Sequence, residues 1–108
     1  MVVLVPEGRS GPEQQAQTEA FLAEFLPRMN QEPGVVEILH CADRESGTTS
    51  TVVVWESEAD VRRYREGGLV KEAIAFERHS GEPARRSGPF PVQVRLTGGK
   101  DEERRSAA

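Results

Sequence analysis

Short runs of β-branched residues alternate along the chain with stretches whose apolar positions recur at helical spacing. "VVLV" (Val2 to Val5), ended by Pro6 and Gly8, predicts a first strand. "SGPE" (Ser10 to Glu13) has the spacing of a capping box, with Pro12 in the first turn, where its missing donor does no harm. Behind it Thr18, Phe21, Leu22, Phe25, Leu26 and Met29 fall on one stripe of a helix. Pro27 lies inside that stripe and cannot donate to Ala23, so a bend or a released last turn is expected there. "VVEILHCA" (Val35 to Ala42) predicts a second strand, "DRESG" (Asp43 to Gly47) a hairpin turn, and Thr51 to Glu56 a third strand. Ser57 with Asp60 repeats the capping signal ahead of a helix that turns Val61 and Tyr64 inward. Gly67-Gly68 breaks that helix, and Leu69, Ala73 and Phe76, with Val70 and Ile74 beside them, carry a second piece to about His79. "GEPARRSGPFP" (Gly81 to Pro91) reads as loop and "VQVRL" (Val92 to Leu96) as a fourth strand. Residues 1–97 are thus expected as one domain and 98–108 as a mobile tail.

The order β-α-β-β-α-β is that of a ferredoxin-like α+β fold, a four-stranded antiparallel sheet with helices on one side. A sheet covered on one side should alternate apolar and polar residues. Here Val2 to Val5 and Val52 to Trp55 are apolar on both faces. In the second strand Val36 and Ile38 are expected on one face, Val35 and Leu39 on the other. The uncovered face would be an apolar patch larger than monomers tolerate, so a homodimer closed sheet to sheet into a barrel is expected.

Composition narrows the classes. At 108 residues the chain fits one modest core. A net charge of -4 argues against nucleic acid and anionic membranes as partners. One cysteine, Cys41, rules out an internal disulfide and a thiolate-only metal site, and suits a reducing cytoplasm. No apolar run reaches the roughly 20 residues of a membrane span. Two histidines, one cysteine and scattered carboxylates show no metal-ligand spacing, and no glycine motif would cradle a phosphate. RNA-recognition domains share the element order, but they stack bases on aromatic residues of the middle strands, where this chain has no ring before Trp55.

"PGVVEILHCAD" after a first helix, followed by "TSTVVVWESEADVRRY", resembles the antibiotic biosynthesis monooxygenase (ABM) domains of the dimeric α+β barrel superfamily. The resemblance runs from about Val2 to Leu96 and implies the ferredoxin-like fold and a dimer. Haem-degrading members carry a Trp and, ten residues later, a His in the second helical region. Tyr64 and Ile74 stand there instead, and the first strand lacks that branch's Asn, so haem degradation is disfavoured. The cofactor-free branch fits better, and it implies a monooxygenase of a small aromatic or polycyclic compound that needs no cofactor. Such an enzyme requires an aromatic-lined pocket and a polar group that stabilises the substrate anion. On that resemblance Trp55, Phe21, Phe25 and Phe76 are the candidate walls, His40 and Tyr64 the catalytic candidates, and Arg95 a further polar contact.

Each candidate also has a structural reading. Trp55 can plug the end of the core while Ser57 caps the next helix, and Tyr64 is core whatever its hydroxyl does. A lone strand histidine is more often structural, yet His40 is the strand-borne group whose ordinary pKa suits acid-base work. His79 suits the C-terminal end of a helix dipole. Cys41 points away from His40, which argues against a Cys-His pair, and Glu37 shares its face, with Arg95 as an expected partner. The alternative function is a non-catalytic dimeric barrel holding a small hydrophobic ligand. Haem binding without turnover is the third.

Overall fold

The computed structural model describes residues 1–80 and 83–98. Its elements are β1 (Val2–Arg9), α1 (Gln15–Met29), β2 (Val35–Asp43), β3 (Thr48–Trp55), α2 (Glu58–Glu66), α3 (Gly68–Ser80) and β4 (Arg85–Pro91). The sheet has the order β2-β3-β1-β4 with every neighbouring pair antiparallel, the ferredoxin-like arrangement that the hydrophobic pattern predicts. Residues 99–108 of the expected tail lie outside the described residues.

Burial alternates along the central strands. Val2 and Leu4 of β1 and Thr51, Val53 and Trp55 of β3 are buried beneath the helices. Phe25 and Met29 of α1, Val61 and Tyr64 of α2, and Leu69, Val70 and Ala73 of α3 complete that core. Each fully buried aliphatic side chain among them contributes about 1.5–3 kcal/mol. The intervening residues Val3, Val5, Val52 and Val54 turn to the other face and are only half-buried. Leu39, directly opposite Val52, and Phe90, opposite Val3, are 52% and 54% exposed on that same face. The sheet is therefore apolar on both sides and helix-covered on one.

Three local expectations need correction, and at Pro27 one of the two expected outcomes is removed. Ser10 does not cap α1, which starts at Gln15 with no side-chain cap. The Ser10 backbone N–H is taken by Gly47 O of the hairpin at 2.9 Å, and its hydroxyl hydrogen-bonds the Thr18 hydroxyl at 2.9 Å. Pro27 does not release the last turn, because Asn30 N still donates to Leu26 O at 2.9 Å; the ring deprives only Ala23 of a donor.

The fourth strand is Arg85–Pro91, not Val92–Leu96. Glycine and proline in "RRSGPFP" read as breakers, but β4 is an edge strand, where proline is tolerated. The ladder ends with Val92 N donating to Met1 O, and Val94 and Leu96 are exposed. In β2 the pairing shifts between Val35, opposite Trp55, and Glu37, opposite Val54. This bulge places Val35 on the same side as Ile38 and His40, and removes Val36 from that set.

The turn residues behave as their chemistry requires. Ser57 accepts from Asp60 N at 3.3 Å and donates to Asp60 Oδ2 at 2.7 Å, which starts α2. Gly34 sits at φ +90° directly beside Asp60, where a Cβ would collide with the carboxylate. At the hairpin, Asp43 accepts from Glu45 N and the Ser46 hydroxyl, and Gly47 takes φ +75°.

Candidate functional site

The amphipathic stripe of α1 does not close completely onto the sheet. Between them lies a cavity of about 100 Å³, floored by Leu4, Pro6, Thr49 and Thr51 and flanked by Tyr64, Phe76 and Arg86. Its roof is aromatic. The Phe21 ring stacks on Phe76, with centroids 4.2 Å apart and planes 4° apart, and on Phe25 at 5.2 Å. One end reaches the exposed residues Glu7 and Arg9 of β1.

The charged lining residues of this cavity are Glu7, Arg9, Glu77 and Arg86. Arg86 of β4 donates through Nη1 and Nη2 to the two carboxylate oxygens of Glu77 of α3, at 3.0 and 2.6 Å. The pair is mostly buried, with side chains 23% and 16% exposed. Such a two-point pair fixes the guanidinium plane, and it leaves Arg86 donors that have no partner among the described residues. Tyr64 lines the cavity, and no hydrogen bond of its hydroxyl is found among the described residues. Burial pushes the Tyr64 phenol up to about 12, an effect that nearby Arg86 opposes and Glu32 and Glu77 reinforce. At neutral pH the phenol is therefore a proton-bearing donor and not a base.

A second, smaller hollow of about 30 Å³ adjoins the first and shares Ser10, Thr18, Leu22 and Thr49 with it. His40 lines this hollow. Its Nδ1 lies 2.9 Å from the Thr51 hydroxyl oxygen, and partial burial lowers its pKa below the ordinary 6.5. Among the described residues no group of three or more His, Cys, Asp or Glu side chains could hold a metal ion, and no helix is long and apolar enough to cross a membrane.

Tyr64, Phe21, Phe25 and Phe76 are thus brought together around the larger cavity, while His40 faces the smaller one. Trp55 is fully buried behind Tyr64, with ring centroids 5.3 Å apart, and does not line either hollow. Its indole Nε1 has no hydrogen-bond partner among the described residues. Arg95 lies past the end of β4, exposed, and lines neither hollow. Cys41 is exposed and paired across from Ser50, on the face opposite His40.

Three polar lining residues escape a reading of the sequence alone. Arg86 sits in a glycine- and proline-rich stretch read as loop, and Glu77 becomes notable only once Arg86 is placed. Thr51 did leave a signal, since it falls in the alternation Thr51, Val53, Trp55 as the one polar residue of a buried series.

No protein-family model matches the sequence, and no curated protein matches it. Solved structures do. A protein from Deinococcus radiodurans, described as a candidate antibiotic biosynthesis monooxygenase, superposes with a TM-score of 0.79 at 17% identity, covering 91% of this chain and all of that one. A variant of SnoaB, a cofactor-independent oxygenase from Streptomyces nogalater, matches at TM-score 0.65 and 21% identity, over 90% of this chain and 97% of its own. A protein of unknown function from Nitrosomonas europaea matches at 0.66 and 19% identity, over 89% and 95%. At these identities the likeness is one of fold, and by fold this chain is an ABM-like α+β domain.

Proposed function

We propose that the chain is a cofactor-independent monooxygenase of the ABM type, acting on a small aromatic compound held beneath the three phenylalanines. The observation that carries this reading is an aromatic cavity whose polar margin is a protonated phenol beside an ion-paired arginine. A cavity of about 150 Å³ holds benzene, so about 100 Å³ takes at most one ring. A polycyclic substrate would insert one ring and extend past Glu7 and Arg9. In this reading His40 accepts the substrate proton. The Tyr64 hydroxyl and the spare Arg86 donors then stabilise the resulting anion, which passes an electron to dioxygen. Trp55 supports Tyr64 from behind, and Arg95 has no placement that favours substrate contact.

We also propose a cytoplasmic homodimer in which the open faces of two sheets meet, with Leu39 and Phe90 in the contact. Support comes from the half-buried valines and the two exposed large side chains of that face.

Dioxygen consumption in the presence of anthrone-type and simple phenolic compounds tests the reaction. Substrate-dependent uptake by the purified, metal-free protein is expected. A second reading, a non-catalytic binder, is favoured by the carboxylates of the cavity: Glu77 is already held by Arg86 and Glu7 sits at the exposed end. That reading predicts saturable binding of the same compounds with no dioxygen consumed.

A further inference from the structure

We propose that Thr51 is the positioning residue that connects His40 to the ligand: a proton leaves the bound compound through the Thr51 hydroxyl to His40 Nδ1. The inference rests on the aromatic ligand site proposed above and adds to it the route of the proton. His40 and the larger cavity do not share a wall directly, because His40 lines only the smaller hollow. Thr51 lines the larger cavity and its hydroxyl lies 2.9 Å from His40 Nδ1, so Thr51 is the residue common to both. It is also the only buried polar residue of the core among those described, 7% exposed on a strand whose neighbours on that face are Val53 and Trp55. A valine would fill that position as well, so packing alone gives no reason for the hydroxyl.

The transfer balances. With the His40 proton on Nε2, Nδ1 accepts a hydrogen bond from Thr51. Thr51 Oγ1 takes the proton of a ligand hydroxyl as its own proton passes to Nδ1. This leaves a ligand anion in the larger cavity, a neutral Thr51 and an imidazolium. Glu19 of α1 and Asp43 of β2 line its hollow together with Arg44, which is paired to Glu19 at 3.4 Å; Ser10, Gln15, Thr18 and Thr49 are the uncharged polar side chains there. Burial lowers the His40 pKa and so works against the imidazolium. The exposed side of His40 gives the proton an exit to solvent.

The chain has only two histidines, so His79 serves as an internal reference in a proton NMR titration. With 4-nitrophenol as the probe, binding is expected to move the His40 titration upward in the wild type and to leave His79 unmoved. In Thr51→Val the upward shift is expected to vanish although the phenol still binds, and in Thr51→Ser it returns. Where a phenol is turned over, Thr51→Val and His40→Ala should each lower kcat about 100-fold, as loss of a general base does, and the double variant should lose no more than either. A phenol that binds the wild type without moving His40 overturns the relay and leaves the ligand site standing, and this arm requires no variant to fold. Full retention of the shift in Thr51→Val, or additive losses in the double variant, overturns it equally. Failure of every phenol to bind sinks the ligand site itself and the relay with it.

Discussion

Replacing Trp55 by Phe should leave stability almost unchanged, although Trp55 is among the largest fully buried side chains of the core. Two effects oppose one another. The smaller ring vacates roughly 35 Å³, worth about 0.8 kcal/mol at about 24 cal/mol per Å³ of residual cavity. The lost apolar atoms add about 1 kcal/mol of transfer free energy. Against this, the indole Nε1 has no partner among the described residues, and a buried donor left unpaired costs about 1–3 kcal/mol. Phe removes that donor and keeps a ring against Tyr64, whose centroid lies 5.3 Å away. The net change is therefore within about 1 kcal/mol of zero, whereas Trp55→Ala should cost about 3–5 kcal/mol. Urea unfolding followed by far-ultraviolet circular dichroism measures both, with equal slopes as the check that the unfolded state is unaltered. A loss in the Phe variant as large as in the Ala variant would refute the reasoning, since it would mean that Nε1 already makes a hydrogen bond.

Gly34→Ala should cost at least about 1–2 kcal/mol, because it adds a positive-φ penalty to a collision with Asp60, and thermal unfolding will show it. Tyr64→Phe should lower kcat/KM about 100-fold in dioxygen uptake, as loss of one anion-stabilising donor does, without lowering the melting temperature, because its hydroxyl has no bond to lose among the described residues. Leu39→Glu should convert the proposed dimer to monomers in light scattering; a wild type already monomeric at micromolar concentration would refute the interface. His40 binds its proton less readily folded than unfolded, so stability should rise with pH from the folded pKa up to about 6.5. His40→Asn should flatten that part of the pH profile of unfolding.

The hydrophobic period carries most of the architecture. The stripe of Phe21, Phe25 and Met29, the Ser57 cap and the Gly67-Gly68 break are local signals, and the structure obeys them. Expectations failed where a distant segment took the bonding group. Ser10 gave its backbone N–H to the hairpin, and β4 formed on residues whose propensity argues against a strand because β1 offered them a ladder. The aromatic half of the candidate site was legible for the same reason as the core, since Phe21 and Phe25 follow the apolar stripe of α1 and Phe76 that of α3. Arg86, Glu77 and Thr51 were not, because each gains its meaning from a partner on another element.

The bulge in β2 makes that strand read in two frames. Ahead of it Val35 joins Trp55 in the core; beyond it Ile38 and His40 point the same way although an unbroken pleat would set Val35 against them. Flattening the bulge with Val36 kept in the ladder would impose a regular pleat and force a choice. Either Val35 is lifted out of the core, or the imidazole is carried round to the far side of the sheet, away from Thr51. One supernumerary residue in an edge strand thus lets this sheet close its interior and turn the His40 imidazole to Thr51 within a single strand.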